Sequence, residues 1–114
     1  MKYEWLEEFC LAQEEAVQDY KEEWGATRYM IDGKMFAMCG TDKSGRAIIT
    51  LKLEPAYGQM LRDQYPDIVP GYYMNKVHWS SVYLDGAVPD ELLKTMIGES
   101  HQLIFRAKSK KKKQ

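Results

Sequence analysis

Apolar residues recur along the chain with two different periods, and each period predicts one kind of element. In residues 2–16, Trp5, Leu6 and Phe9 recur at helical spacing while glutamates fall largely on the other side. This pattern predicts an amphipathic helix. Residues 18–24 are polar with interspersed aromatic side chains, and they predict a short edge strand.

The strongest local pattern predicts a β-hairpin over residues 27–40. Asp32 and Gly33 lie between two runs of β-forming residues. This pair favours a two-residue type I′ turn, which needs positive φ at both positions. Residues 46–53 then alternate apolar and polar positions, so they predict a third strand. Three consecutive strands indicate an antiparallel meander.

Prolines mark the boundaries of the predicted elements in the second half of the chain. Pro55 suits the first turn of a helix, and Pro66 ends that helix. Residues 67–71 predict a loop, and residues 79–84 return to strand-like alternation. Pro89 begins a last helical region.

The last helical region completes the predicted order of elements and precedes the basic tail. Gly98 interrupts it and Ser100 can cap a continuation, so the region predicts either one bent helix or two. The order of elements predicts an α+β fold, in which an antiparallel β-sheet (a meander) has helices packed on one face. We expect a single domain over residues 1–107 and a basic, disordered tail over residues 108–114.

The net charge of −1 over 114 residues hides an uneven distribution. Residues 1–23 carry a net charge of −6, residues 24–105 a net charge of −1 and residues 106–114 a net charge of +6. The neutral body argues against nucleic-acid binding, whereas the tail can attract nucleic acid by counterion release or simply aid solubility. No apolar run approaches the ~18 residues of a membrane span, so we expect no membrane partner.

Cysteine and histidine usage gives no support for a metal or a cofactor. Cys10 and Cys39 have no CxxC partner, and His78 and His101 are the two histidines, so no zinc-binding spacing arises. Residues 2–9 lack an apolar signal-peptide core. We therefore expect a cytoplasmic protein with reduced thiols and no cofactor, with a Cys10–Cys39 disulfide as the alternative.

The densest group of chemically capable side chains lies in residues 70–79. It comprises Tyr72, Tyr73, Asn75, Lys76, His78 and Trp79. Aromatic faces beside a cation could stack on bases and contact phosphate, or the group could line a small-ligand pocket. His78 could instead act as an acid or base while Lys76 stabilises an anion. The structural alternative is that Tyr72 and Trp79 pack in the core while the polar groups bond the loop backbone.

Glutamates of the first predicted helix form a second candidate surface. Glu7, Glu8 and Glu15 could dock a basic protein partner. Carboxylates on the same face could also hold hard cations, although a solvated helix face is the simpler interpretation.

Several segments of the chain resemble the MmcQ/YjbR family. The matching segments are residues 33–37 (Gly-Lys-Met-Phe-Ala), 51–52 (Leu-Lys), 70–79 (Pro-Gly-Tyr-Tyr-Met-Asn-Lys-Val-His-Trp), 84–86 (Leu-Asp-Gly), 88–93 (Val-Pro-Asp-Glu-Leu-Leu) and Ser100. The resemblance runs from the first helix to about Phe105. It implies a CyaY-like α+β fold with a double-wing-like arrangement, and a DNA-binding protein without enzyme activity.

Two departures from the family pattern concern histidine. Tyr73 stands where the family often has His, and His101 stands where Tyr commonly follows the Ser. A catalytic histidine is therefore not carried over to this chain. The implied fold also resembles that of frataxin, whose acidic first helix binds iron, so a metal-binding acidic face is a further alternative.

Together these patterns lead us to expect a small binding protein that contacts DNA mainly through phosphates. The candidate contacts are Arg28, Lys34, Arg46, Lys52, Lys76 and His78. The candidate ligand-binding residues are Tyr72, Tyr73, Asn75 and Trp79. A protein partner on the acidic helix is the alternative. No phosphate-loop, metalloprotease or nucleophile-elbow pattern occurs, so we expect no catalytic residues.

Overall fold

The structure, a computed structural model, describes residues 2–71 and 74–112, and side chains through Ala107. The described helices are α1 (Leu6–Leu11), α2 (Pro55–Gln64) and α3 (Asp90–Lys112), with a 3-10 turn at Glu22–Trp24. The strands are β1 (Val17–Lys21), β2 (Ala26–Ile31), β3 (Lys34–Thr41), β4 (Ala47–Lys52), β5 (Ile68–Pro70) and β6 (Trp79–Tyr83).

All six strands form one antiparallel sheet in the order β1-β2-β3-β4-β6-β5. Strands β2, β3 and β4 are the predicted three-stranded meander, and β1 is the predicted edge strand that extends it. The turn between β2 and β3 has φ of 50° at Asp32 and 81° at Gly33, so both residues have the predicted positive φ. The predicted α+β fold is confirmed.

The three helices cover one face of the sheet. Strand residues of this face, such as Tyr29, Ala37, Leu51 and Val82, are buried in one apolar core with residues of all three helices. Ser100 joins α3 to the sheet, because its hydroxyl donates to the carbonyl of Phe36 and accepts from the Lys52 N–H. The prediction that the helices pack on one face is confirmed.

The opposite face of the sheet also has buried residues, although no helix of the described chain packs on it. Met38 and Ile48 are buried there, and the hydroxyls of Thr50 and Ser81 form a buried hydrogen bond of 2.7 Å. Met74, from the segment between β5 and β6, lines the same cavity as Met38 on this face. This face therefore has an apolar and a polar buried region.

The first helix is shorter than the predicted helix over residues 2–16. It ends at Leu11, and Glu15 has φ of 62°, in a left-handed conformation that an α-helix does not accommodate. Before the helix, the buried Tyr3 hydroxyl donates to the carbonyl of Val88 at 2.7 Å. The residues flanking α1 therefore make tertiary contacts and a turn into β1 that the apolar spacing did not reveal.

Strand β5 corrects the prediction of a loop over residues 67–71. Three residues are too few to show a two-residue period, and Pro70 lowers the strand propensity further. The strand forms because it pairs with β6, with Ile68 opposite Val82 and Val69 opposite Ser81.

The last helix is continuous from Asp90 to Lys112. Gly98 does not interrupt it, and Ser100 lies within it rather than capping a second helix. The backbone of residues 108–112 is helical, unlike the disordered tail predicted from residue 108. Lysine has good helix propensity, and cations in the last turns favour the helix dipole. Within the described residues, no helix is both long enough and apolar enough to cross a membrane.

Candidate functional site: a cationic groove beside the edge strand

The segment between β5 and β6 is held by its own backbone and one amide side chain. The Asn75 side-chain oxygen accepts from the N–H groups of Val77 (2.9 Å) and His78 (3.3 Å). The Asn75 carbonyl accepts from the Trp79 N–H at 2.9 Å. The side chain of Asn75, a candidate ligand contact, thus bonds to the loop backbone. This agrees with the structural alternative, in which the polar side chains of residues 70–79 support the loop.

Gly71 lets this segment lie directly against the start of β6. A Cβ at this position would be 2.8 Å from the Cβ of Trp79 and 3.0 Å from its carbonyl oxygen, so a larger side chain requires the backbone to shift. The Gly71 carbonyl accepts from the Lys76 Nζ at 2.9 Å. The close packing of Gly71 against Trp79 therefore helps to position the carbonyl that accepts from the Lys76 ammonium group.

A second cation, Arg62 of α2, is held nearby by neutral groups. Its Nη1 donates to the Ser80 hydroxyl at 2.7 Å, and its Nη2 donates to the Gln59 side-chain oxygen at 3.3 Å. Gly58 leaves room for this arrangement, because a Cβ there would lie 3.2 Å from Arg62 Nη1 and 3.4 Å from Ser80 Oγ. The sequence pattern does not single out Arg62 as a site residue, and the one local signal for it is Gly58, one helical turn earlier.

Arg62 and Lys76 line the same groove, which we call the edge groove. It has a volume of about 610 Å³ and lies between α2, β5 and the segment before β6. Its apolar walls are Pro55, Pro66, Ile68, Val69, Pro70 and Val77, and Gln59 completes the lining. The described lining contains no carboxylate, and neither cation forms an ion pair with a described residue. The groove therefore carries uncompensated positive charge.

The backbone of β5 borders the groove with acceptors rather than donors. Tyr83 donates to the Asp67 carbonyl and Gly71 donates to the Trp79 carbonyl, so the backbone groups of Ile68 and Pro70 face away from β6. The Ile68 N–H donates to the Tyr65 carbonyl at 3.0 Å, and proline has no N–H. This edge therefore has no free N–H with which to pair another strand.

Arg28, predicted as a DNA contact, is neutralised within the protein. Its guanidinium forms two hydrogen bonds with the carboxylate of Asp19, at 2.8 and 2.6 Å. These bonds lower the pKa of Asp19, so the pair stays ionised at neutral pH. Arg28 lies on β2 near the β1 edge, across the sheet from the edge groove.

Arg46, another predicted DNA contact, is also neutralised. Its Nε lies 2.8 Å from Asp85, its Nη2 lies 3.5 Å from Asp67, and its guanidinium stacks 3.6 Å from the centre of the Tyr83 ring. It precedes β4, at the end of the sheet opposite Lys52. The structure therefore does not bring Arg28 and Arg46 together with the other candidates.

The remaining candidates lie at one end of the sheet, where β3 begins, β4 ends and β6 begins; we call this the Lys52 end. Lys52 is opposite Trp79 in the register, and the Leu53 N–H donates to the His78 carbonyl at 2.8 Å. Lys34 is the first residue of β3 and so belongs to the same end. Lys34, Lys52, Lys76 and His78 thus lie at the Lys52 end, and Lys76 is the one of these four that lines the edge groove.

His78 and Lys76 do not share a described cavity. The His78 side chain is exposed and is not among the described residues that line the edge groove, whereas Lys76 is. Trp79 is half-buried at the start of β6. The predicted contacts at Tyr72 and Tyr73 lie outside the described residues. The geometry therefore does not support joint action of His78 and Lys76 in the described cavities.

The acidic candidates do not share a helix face. Glu7 and Glu8 are exposed in the first turn of α1, and Glu7 accepts from the Gln18 side-chain amide at 3.0 Å. Glu15 lies beyond the end of α1 with positive φ. The prediction that Glu7, Glu8 and Glu15 share one helix face is wrong, because α1 ends at Leu11 and does not include Glu15. In the described part of the chain, no three metal-ligating side chains cluster.

Both cysteines are free thiols in the structure. Burial raises the pKa of the Cys10 thiol strongly, and burial raises the pKa of Cys39 to about 12. At neutral pH both are protonated and unreactive as nucleophiles.

Comparison with known families agrees with the sequence resemblance. The YjbR family model matches residues 11–103. The Escherichia coli (strain K12) protein YjbR is 35% identical over 97 residues, which cover 85% of this chain and 81% of that protein. YbdF of Escherichia coli O157:H7 is 36% identical over 83 residues, covering 73% of this chain and 67% of that protein.

Solved structures show the same fold. The DUF419 domain protein DR2400 of Deinococcus radiodurans superposes with a TM-score of 0.78 and 29% identity, over 87% of this chain and 75% of that one. A Pseudomonas syringae protein gives a TM-score of 0.76 over 91% of this chain and 99% of its own, and at 23% identity it supports the fold alone. The family match and these relatives confirm the resemblance, and the chain belongs to the MmcQ/YjbR family.

Proposed function

We propose that this chain is a non-enzymatic protein that binds DNA through backbone phosphates, with Arg62 and Lys76 of the edge groove as its main contacts. The observation that carries the proposal is that these two cations line one groove without a carboxylate partner among the described residues. A guanidinium and an ammonium are the two groups that proteins use most for phosphate.

The positions of the two cations support a phosphate site. Each is oriented by a neutral acceptor, Ser80 for Arg62 and the Gly71 carbonyl for Lys76, so part of the entropic cost of ordering is met before a ligand binds. The apolar walls reduce the amount of water around an anion, which strengthens its attraction to the cations.

Further positive charge lies at the Lys52 end of the sheet. Helix α3 passes Lys52 at Ser100 and continues to Lys112, so its last turns extend past this end. Arg106 is exposed there, and Lys108 and Lys110–Lys112 follow in the sequence. Lys34, Lys52 and His78 supply supporting contacts in this proposal. Because the body of the domain is nearly neutral, the expected binding is weak, independent of sequence and sensitive to salt.

Fluorescence anisotropy with a labelled short duplex tests this proposal. Affinity should fall linearly on a logarithmic salt scale between about 50 and about 200 mM, with a slope of about 0.9 per phosphate contact. The double variant Arg62→Gln, Lys76→Gln should bind more weakly and reduce the slope by about 2. The matched control is Lys43→Gln in the turn between β3 and β4, at the far end of the sheet, which should bind like wild type.

Two results would overturn the proposal. One is no binding at about 50 mM salt; the other is wild-type affinity and slope for the double variant. A truncation that removes residues 108–114 separates the groove from the helix end. If the truncated chain loses all binding while the double variant retains it, the phosphate contacts belong to the C-terminal lysines and not to the groove.

A further inference from the structure

The face of the sheet opposite the helices contains a second cavity, which shares no lining residue with the edge groove. It has a volume of about 360 Å³ and lies between the 3-10 turn at Glu22–Trp24, strands β2 and β3, and Met74. This size falls within the range of small-molecule sites in proteins, about 300–1,000 Å³. The DNA-binding proposal makes no use of this cavity.

Two small residues, which meet across β2 and β3, line the cavity on the sheet side. Ala26 and Gly40 both line it, and a Cβ on Gly40 would lie 3.3 Å from the Cβ of Ala26. The missing side chain at Gly40 therefore creates the recess. With no long side chain at Ala26 or Gly40, a planar ring can approach the sheet closely and gain contact over its face.

Aromatic and thioether side chains form the walls. The Trp24 indole is 52% exposed, Met38 is buried and Met74 is half-buried. An indole offers a face for stacking, and methionine sulfur contacts ring edges favourably. These three side chains together are suited to an aromatic ring.

The charges at the rim are neutralised within the protein. Glu23 lines the cavity, and its carboxylate pairs with Lys21 at 3.4 Å; Arg28, next to the Trp24 ring, pairs with Asp19 at 2.6 Å. Lys21 Nζ and Arg28 Cζ each lie 5.7 Å from the centre of the Trp24 ring, so both cations also contact the wall residue. With both cations compensated, the cavity favours an uncharged ligand, in contrast to the edge groove.

We propose that this cavity, which we call the Trp24 cavity, binds a small neutral planar aromatic compound. The ring lies on Ala26 and Gly40, stacks against Trp24 and contacts the thioethers of Met38 and Met74. The Thr41 side chain, at the exposed rim, provides a hydroxyl for a polar substituent of the ligand. The site is independent of DNA binding, and either can exist without the other.

Methyl NMR of the full chain labelled at methionine methyl groups tests the proposal, with indole as the probe. Indole should shift the Met38 and Met74 methyl resonances along saturable curves with a common dissociation constant. Met60, which is 45% exposed on α2 on the other side of the sheet, is the internal control and should not move. No shift at Met38 and Met74, or an equal shift at Met60, would refute the site.

Two variants locate the ligand. Gly40→Val should fill the recess, and Trp24→Ala should remove the stacking wall; each should weaken indole binding at least about tenfold. Tyr20→Ala is the matched control, since Tyr20 is an aromatic residue with 62% exposure outside the cavity lining. If Gly40→Val does not fold, Trp24→Ala still decides the question, because its exposed side chain contributes little to the core. Unchanged binding by Trp24→Ala would overturn the proposal.

Discussion

Tyr3 and Val88 are joined by a buried hydrogen bond of 2.7 Å between residues 85 positions apart. The bond ties the first residues of the chain to the loop before α3. Since Tyr3 is fully buried, its ring also contributes to the core. We expect Tyr3→Phe to lower the free energy of unfolding by about 1–3 kcal/mol, because the Val88 carbonyl loses its donor. Urea denaturation measures this, and Tyr20→Phe, on an exposed side chain, should change stability by less than about 0.5 kcal/mol.

Ser100 provides a similar test for the contact between α3 and the sheet. Ser100→Ala leaves the Lys52 N–H without its side-chain acceptor and the Phe36 carbonyl without its side-chain donor. The expected loss is about 1–3 kcal/mol of unfolding free energy, since polar backbone groups would be left unpaired in a buried position. Thr95→Ala is the control on the same helix, because Thr95 is exposed and bonds only within its own turn. Equal effects of the two variants would contradict the bridging role of Ser100.

Two helical glycines should respond differently to alanine. Gly98 has open space around a Cβ, so Gly98→Ala should raise the free energy of unfolding by about 0.5–1 kcal/mol through helix propensity. Gly58→Ala places its methyl group 3.2 Å from Arg62 Nη1 and must displace the guanidinium. Its gain in stability should be smaller than that of Gly98→Ala, and its DNA affinity should fall below that of the wild type. Calorimetry and anisotropy on the same samples compare the two glycines. Wild-type DNA binding by Gly58→Ala would argue against the positioning of Arg62.

Alkaline pH should destabilise the fold. Burial raises the pKa of Cys39 from 9.0 to about 12, and burial raises the pKa of Tyr29 from 10.0 to about 12. Both groups bind their proton more tightly in the folded state than in the unfolded chain. Their contribution to stability is therefore fully present below the unfolded pKa values and is lost as the pH rises toward 12.

Denaturation midpoints measured in a pH series from neutral to strongly alkaline check this expectation. Cys39→Ala should flatten the decline that begins near pH 9, the unfolded thiol pKa. If the denaturation midpoint of Cys39→Ala falls as steeply with pH as that of the wild type, groups other than the Cys39 thiol cause the loss of stability.

The parts of the fold set by local chemistry could be predicted from the sequence. The hairpin follows from Asp32 and Gly33, because few residue pairs tolerate two positive φ angles in a row. The strands of the meander follow from alternation. Strand β5 could not be predicted, because its three residues become a strand only through pairing with β6. The family resemblance was predicted from the motifs and is confirmed.

The site was harder to predict because charge compensation depends on distant residues. Arg28 is neutralised by Asp19 on a neighbouring strand, and Arg46 by Asp85, which lies 39 residues later in the chain. Gly58, one helical turn before Arg62, is the single local signal for this arginine, and the position of its guanidinium depends on the distant Ser80 of β6. Lys76 was predicted as a phosphate contact, and it lines the edge groove.

The unequal edges of the sheet limit how copies of this chain can associate. At β5 the outward backbone offers carbonyl groups alone, whereas β1 is a five-residue strand that pairs only with β2 among the described strands. Strand addition needs donors and acceptors on both partners, so a growing sheet can start at β1 but cannot continue from β5. Two copies joined at their β1 edges would therefore have β5 at both outer edges, and edge pairing could not extend them into a fibre.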